Sequence, residues 1–404
     1  MKNLLCFAVD RLHRNFIGAY GNTWIRTPGL DRLAYQATVF DQHVLESPHP
    51  DKVLATIWTG RHPLEECPGS PCLPEILGGR EIHTVLITDE PSILVPEFSN
   101  RFERYMLLTH PEPTQPVEEI SQTYLANIFA QCTAVLGEQP QPFCAWIVLR
   151  GLGGPWDAPL ELREQYADEG DPPPYSAVEP PNLRFSKEDD PDILLAILQA
   201  YAAQVTVLDS CFEAFWEWLS GVGWAPETGL LFLSLRGFPL GEHGWIGKDG
   251  PQLYSEVLHT PLMLYLPERA PAAQRVLSLV EPADLFPTIL QLFDLGSDIP
   301  RLQVAANLFP LLTEEGESVR NRVFVLDEDG SQAMRTVYWY FRNTEPPELY
   351  IKPEDFWDFN NVANRCSDVV EAMQQLIVQD REALRNQSWD PLAELDPSIA
   401  TRPE

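Results

Sequence analysis

Asn3-Leu4-Leu5-Cys6-Phe7-Ala8-Val9-Asp10, near the start of the chain, holds an unbroken apolar run that stops at a carboxylate followed by Arg11. A short apolar run without polar alternation suits a strand covered on both faces of a sheet. The same run has some features of a secretory leader. It ends at Asp10 and Arg11, however, and no small-residue cleavage site follows. We therefore read it as a buried first strand and expect a soluble, cytoplasmic protein.

Working outward, Thr38–Val44, Ile82–Thr88, Phe143–Leu149, Leu230–Leu235 and Leu262–Leu266 are further apolar strand candidates. Between them lie stretches with helical spacing. Val117, Ile120, Tyr124, Leu125, Ile128, Phe129, Cys132, Val135 and Leu136 recur mostly at threes and fours. A longer stretch runs from about Asp192 to Leu219 with Pro191 placed to start it, and another covers Ala283–Phe293. Strands alternating with helices predict an α/β fold, with a mostly parallel central sheet sandwiched by helices. The Pro- and acid-rich stretch from Trp156 to Asp190 reads as one long loop. From about Ser318 the rhythm changes. Arg322–Leu326 and Met334–Phe341 look like antiparallel strands, with a helix over Asp368–Leu384. Two units are expected, residues 1–317 and a small C-terminal α+β subdomain at 318–404.

With 404 residues, 44% of them hydrophobic, the chain can bury a sizeable core. No apolar run reaches the ~20 residues needed to span a bilayer. Formal net charge is −31, from 59 acidic against 28 basic residues. Such a surface repels nucleic-acid phosphates and anionic lipids, so neither nucleic acid nor membrane is an expected partner. The seven cysteines, at 6, 67, 72, 132, 144, 211 and 366, are odd in number and irregularly spaced. They read as free thiols, and Cys67 with Cys72 lacks the second pair that a zinc ribbon needs.

Four segments resemble the sulfatases of the alkaline-phosphatase superfamily. Val9-Asp10-Arg11-Leu12, then Gly18-Ala19-Tyr20-Gly21-Asn22 and Thr27-Pro28-Gly29-Leu30-Asp31-Arg32-Leu33-Ala34, is similar to the family's opening strand, turn and first helix. Ser47-Pro48 through Thr59-Gly60-Arg61-His62-Pro63 resembles its nucleophile segment. Leu240-Gly241-Glu242-His243-Gly244-Trp245-Ile246-Gly247-Lys248 resembles its second metal-and-lysine segment, and Glu348-Leu349-Tyr350 with Asn360-Asn361-Val362-Ala363 its C-terminal signature. No one of the four is specific alone; their order and spacing along nearly the whole chain are.

The resemblance implies a divalent cation held by carboxylates and a formylglycine made from the Cys of Cys-x-Pro-x-Arg. This chain departs from that pattern at most positions. The paired aspartates closing the first strand are here Asp10 and Arg11. Counting back from Thr59-Gly60-Arg61, the nucleophile position falls on Pro50, whose side chain has no heteroatom to attack with, and the motif's proline and arginine on Lys52 and Leu54. The second metal pair falls on Leu235 and Arg236, and a mid-chain histidine position on Gly153. Cys72-Leu73-Pro74-Glu75-Ile76 mimics the conversion motif only by chance. No metal ligand set and no cofactor, calcium or formylglycine, is therefore expected.

Asp10, Arg11 and Arg236 sum to +1, or +2 with Lys248. Two guanidinium groups around one carboxylate can stand in for a cation and suit a small oxyanion. The competing reading is decay, with both arginines turned to solvent or paired with surface acids. Arg11, Arg236, Lys248, His243 and His49 are the anion-binding candidates, and no catalytic residue is assigned. His49 and Asp51 flank Pro50 as a salvage acid–base pair or as ordinary helix-start residues. Lys248 is otherwise a loop lysine and His243 a structural hydrogen-bonder, while Trp156 and Trp245 line the cleft or fill the core. The favoured expectation is a pseudoenzyme binding a small oxyanion or a protein partner. Altered sulfate- or phosphate-ester hydrolysis and a structural subunit of an oligomer are the alternatives.

Overall fold

The first run forms a strand buried along its whole length, β1 (Asn3–Asp10). Leu4, Cys6 and Ala8 point into one apolar core while Leu5, Phe7 and Val9 point into a second on the other face. This two-sided burial is why β1 shows no polar alternation. In the computed structural model, which describes residues 1–65, 69, 71–93, 96–267, 273–300, 302–313, 316 and 318–402, the remaining strands assemble around it.

In chain order these are β2 (Thr38–His43), β3 (His83–Thr88), β4 (Arg104–Leu107) and β5 (Phe143–Leu149). A short strand β6 (Leu183–Arg184) precedes β7 (Thr228–Arg236); its ribbon partner β8 (Trp245–Ile246) precedes β9 (Leu262–Tyr265) and β10 (Gln274–Val280). The large sheet runs β10-β2-β9-β7-β1-β5-β3-β4. All its pairings are parallel except those of β9, which lies antiparallel to both β7 and β2. All six predicted strands are present. The alternation missed β4 and β10, whose residues are partly exposed and read as surface.

Helix Pro191–Gly221 packs on the second core. Asp190 caps it, accepting the Asp192 N–H at 3.0 Å, and Pro191 supplies a φ suited to its first turn. By length and composition it is apolar enough to cross a membrane, although no run of that length stood out in the sequence. Its apolar stripe is buried instead, with Phe212 and Phe215 edge-on to Phe7 at centroid distances of 5.6 and 4.8 Å. The other predicted helices are present as Tyr124–Gly137 and Leu285–Leu292. The stretch 156–190, expected as plain loop, carries the short helix Leu160–Glu164 and β6.

The small antiparallel sheet comprises β11 (Arg322–Leu326), β12 (Gln332–Thr336), β13 (Trp339–Arg342) and β14 (Glu348–Ile351) in sequential order. The predicted single strand Met334–Phe341 is thus a hairpin, turned where the Thr336 hydroxyl accepts the Trp339 N–H. Helix Ser367–Arg385 covers the sheet, burying Met373, Ile377 and Leu384 with Phe324, Met334 and Phe341. Arg322 and Asp380 tie the two in a two-point ion pair. Residue 317, where the expected boundary fell, and Cys67 lie outside the described residues.

Candidate active site

β1 and β7 are parallel neighbours, so their C-terminal ends meet at one edge of the sheet. Their register runs regularly to Val9 opposite Ser234 and then shifts, placing Asp10 opposite Arg236. The residue skipped by this bulge is Leu235, which is fully buried in the first core. A bulge re-aims the side chain that follows it. Ser234 holds this one in place: its hydroxyl accepts the Leu12 N–H at 3.2 Å and donates to the Arg236 carbonyl at 2.7 Å. The Arg236 guanidinium then grips Asp10 in a fork, with Nε and Nη2 each 3.0 Å from a carboxylate oxygen. Paired N–H···O bonds of this kind combine charge with fixed geometry.

Arg11 approaches the same carboxylate from the other side, with Nε 3.8 Å from Asp10 Oδ2. Its backbone sits at φ +63°, a left-handed conformation costing about 1–3 kcal/mol for a residue with a side chain. Two features hold it there. The Tyr201 hydroxyl donates to the Arg11 carbonyl at 2.8 Å and accepts the His13 N–H at 2.8 Å. Gly151 also allows the chain to close in, since a Cβ there would lie 2.6 Å from the Asp10 carbonyl. The Arg11 side chain runs over Phe238, 5.7 Å from the ring centroid, and against Gly153. A Cβ on Gly153 would meet Arg11 Cδ at 3.1 Å. Burial, and then Arg236, pull the Arg11 guanidinium down to about 10, so it remains charged at neutral pH. Asp10, and then Asp249, which no sequence pattern signalled, offset part of this.

The structure therefore brings Asp10, Arg11 and Arg236 together with both arginines turned inward, and Leu235 is turned away. Lys248 is exposed on the loop beside Asp249. Pro50 is the buried first residue of helix Pro50–Thr59. His49 turns to the small sheet, its Nε2 2.7 Å from Asp327 Oδ1. Lys52 reaches Glu328 on the same loop at 3.5 Å. His243 stacks on Tyr254, with centroids 3.5 Å apart and planes 5° apart. Its Nδ1 meets Glu256 at 2.7 Å and its Nε2 donates to the Asp358 carbonyl at 3.1 Å. Burial would lower this imidazole, but Glu256 and Asp358 raise it above the usual histidine range. With both nitrogens committed, it has no N–H left for an anion. Trp156 is core, fully buried against Tyr201 and Phe238. Cys72 is the buried cap of helix Leu73–Gly78.

These residues do not fit a divalent cation. A hard cation takes six to eight oxygens, or several carboxylates and waters, whereas the groups around Asp10 are guanidinium N–H donors without lone pairs. Among the described residues, no group of three or more His, Cys, Asp and Glu side chains could hold a metal. Two donor surfaces remain for an anion. Among the described residues no hydrogen bond engages the Arg11 guanidinium, and Arg236 uses only Nε and Nη2 on Asp10.

Comparison with known proteins agrees with this architecture. The sulfatase family model matches residues 2–295. N-acetylglucosamine-6-O-sulfatase of Bacteroides thetaiotaomicron is 29% identical over 121 residues, which are 30% of this chain and 21% of that protein. The multifunctional alkaline phosphatase superfamily protein PehA of Trinickia caryophylli is 30% identical over 115 residues, 28% of this chain and 22% of its own length. The aligned stretch thus spans about a fifth of each relative. A solved phosphonate monoester hydrolase of Agrobacterium radiobacter superposes with a TM-score of 0.76 at 19% identity, covering 100% of both chains. A structure complexed with its substrate D-glucosamine-2-N,6-O-disulfate also gives 0.76, at 16% identity, covering 96% of this chain and 99% of that one.

Proposed function

This chain belongs to the sulfatase family, and from that premise we propose that it has lost sulfate-ester hydrolysis and instead binds a small oxyanion at Arg11 and Arg236. The observation that carries the proposal is the fork of Arg236 on Asp10. A fixed positive charge sits on the one retained carboxylate, where the family pattern calls for a metal. Hydrolysis needs a nucleophile as well as electrostatic stabilisation. At the nucleophile position Pro50 supplies none, and the neighbouring His49 is committed to Asp327. Binding needs only donors and charge, which the outer edges of the two guanidinium groups offer.

Decay of an unused site would leave the altered side chains unrelated to one another. Here they fit together: Gly153 leaves the space that Arg11 fills, and the Leu235 bulge delivers Arg236 to Asp10. The relatives named for sulfated glucosamine make sulfate, free or on a small ester, the first anion to test. In thermal-shift titrations with chelator present, sulfate or phosphate is expected to raise Tm, and Arg236→Ala to abolish that increment. An aryl sulfate and aryl phosphate assay with calcium, manganese or zinc is expected to show no turnover. Turnover removed by Arg236→Ala or Lys248→Ala would overturn the proposal.

A further inference from the structure

A groove of about 660 Å³ lies beside this site, between the turn after β1, the edge of the large sheet and the segment following β14. Its walls include Arg14, Trp24, His259, Leu277, Phe356 and Trp357. The volume is in the range of small-molecule sites. Trp357, on its wall, lies with its ring 6.0 Å from that of His13, two residues beyond Arg11.

The groove's own lining sets one cation, Arg14, against one carboxylate, Asp41, and further cations lie close behind it in a protein of net charge −31. Arg14 is only 9% exposed and is sandwiched between the rings of Tyr20 and Phe356, at 4.4 and 5.3 Å. Its bonds to Asp41 are long, 3.4 and 3.5 Å, and its buried Nε has no hydrogen-bond partner. The Asp41 carboxylate is taken by the two-point grip of Arg275. Just beneath, the acceptors of buried Arg335 among the described residues are all neutral: backbone carbonyls, including that of Val337, and the Gln42 side chain at 2.9 Å. Lys352 is matched by Asp358. Four cations thus face Asp41 and Asp358, and counting Asp355 further along the segment still leaves a positive balance. His259 registers this field. Burial and then Arg14, with Arg335 and Lys352, hold it well below its ordinary range.

The groove's polar side chains are mostly spent. The Asn22 carbonyl accepts the N–H groups of Trp24 and Ile25, and its amide donates to the Asn15 carbonyl. Gln42 serves Arg335. The apolar surface is not spent: Trp24 is 43% exposed, Trp357 37% and Leu277 75%. Free charge with few free hydroxyl partners, set among indole faces, favours a flat ring over a hydroxyl-rich one.

We propose that this groove binds a small aromatic organic anion, its acid group on Arg14 and its ring between Trp24 and Trp357. The test is tryptophan-fluorescence quenching and calorimetry with 4-nitrobenzoate, glucuronate and inorganic sulfate. 4-Nitrobenzoate is expected to bind with a Kd of about 1 mM or tighter, as its size allows, and at least about tenfold more tightly than glucuronate. Arg14→Leu and Leu277→Glu should each weaken it by about tenfold or more. Leu277 is a surface position, so its variant decides the matter if Arg14→Leu fails to fold. Arg236→Ala should leave this affinity unchanged, which separates the groove from the oxyanion site. The proposal fails if 4-nitrobenzoate does not bind, if glucuronate binds as well, if sulfate alone displaces it fully, or if binding survives Leu277→Glu.

Discussion

Replacing Arg236 by methionine keeps much of the side-chain volume and removes the charge that faces Asp10. Asp10 is 3% exposed, so its carboxylate would be left buried beside only Arg11, whose nearest nitrogen is 3.8 Å away. Removing one partner of a buried ion pair costs about 3–5 kcal/mol, because the other charge remains without compensation. The Arg236 side chain is 16% exposed, and water can partly replace it, so the lower end, about 3 kcal/mol, is expected. With an unfolding entropy of about 2 cal/mol/K per residue, a chain of 404 residues should lose about 4 °C in Tm. Calorimetry on four proteins measures this: the parent, Arg236→Met, Asp10→Asn and the double variant. The double variant should recover about 2 kcal/mol relative to Arg236→Met, since no buried charge is then stranded. If Arg236→Met costs less than about 1 kcal/mol, or if the effects of the two substitutions simply add, the fork is not a buried substitute for a cation.

Glu46 is fully buried, and burial raises it to about 8, only partly offset by its own backbone N–H, Thr56 and Arg320. The folded state thus keeps a proton that the unfolded chain releases near pH 4.5, and stability falls as pH rises from there to about 8. Glu46→Gln should match the parent near pH 4 and exceed it by a few kcal/mol at pH 8. Urea unfolding across that range checks it, and parallel pH profiles for the two proteins would refute it. Gly153→His should cost about 1–3 kcal/mol by pressing on Arg11, and Arg11→Ala in the same chain should recover most of that. If the second substitution deepens the loss measured by thermal denaturation, the two positions are not packed as described.

Much of the fold was legible because burial leaves a periodicity. β1, β5 and β7 are covered on both faces and so read as unbroken apolar runs. Helix Ser367–Arg385 is covered on one face and shows helical spacing. The edge strands β4 and β10 escaped notice, because partly exposed residues carry no such signal. The hairpin inside Met334–Phe341 depends on one turn bond at Thr336, which hydrophobic spacing cannot show.

The same division runs through the site. Sequence alone determined which residues stand where the family pattern calls for ligands and a nucleophile: Asp10, Arg11, Pro50, Leu235 and Arg236. It could not determine whether the two arginines face solvent or each other. That was decided by contacts between parts of the chain more than a hundred residues apart. The β1–β7 register shift, pinned by Ser234, turns Leu235 into the core and Arg236 onto Asp10. Tyr201 and Gly151 hold Arg11 in a left-handed turn that sends it to the same carboxylate. A one-residue slip in a strand reverses which face a side chain takes. Identity was therefore readable in the sequence, while direction waited on the packing of distant segments.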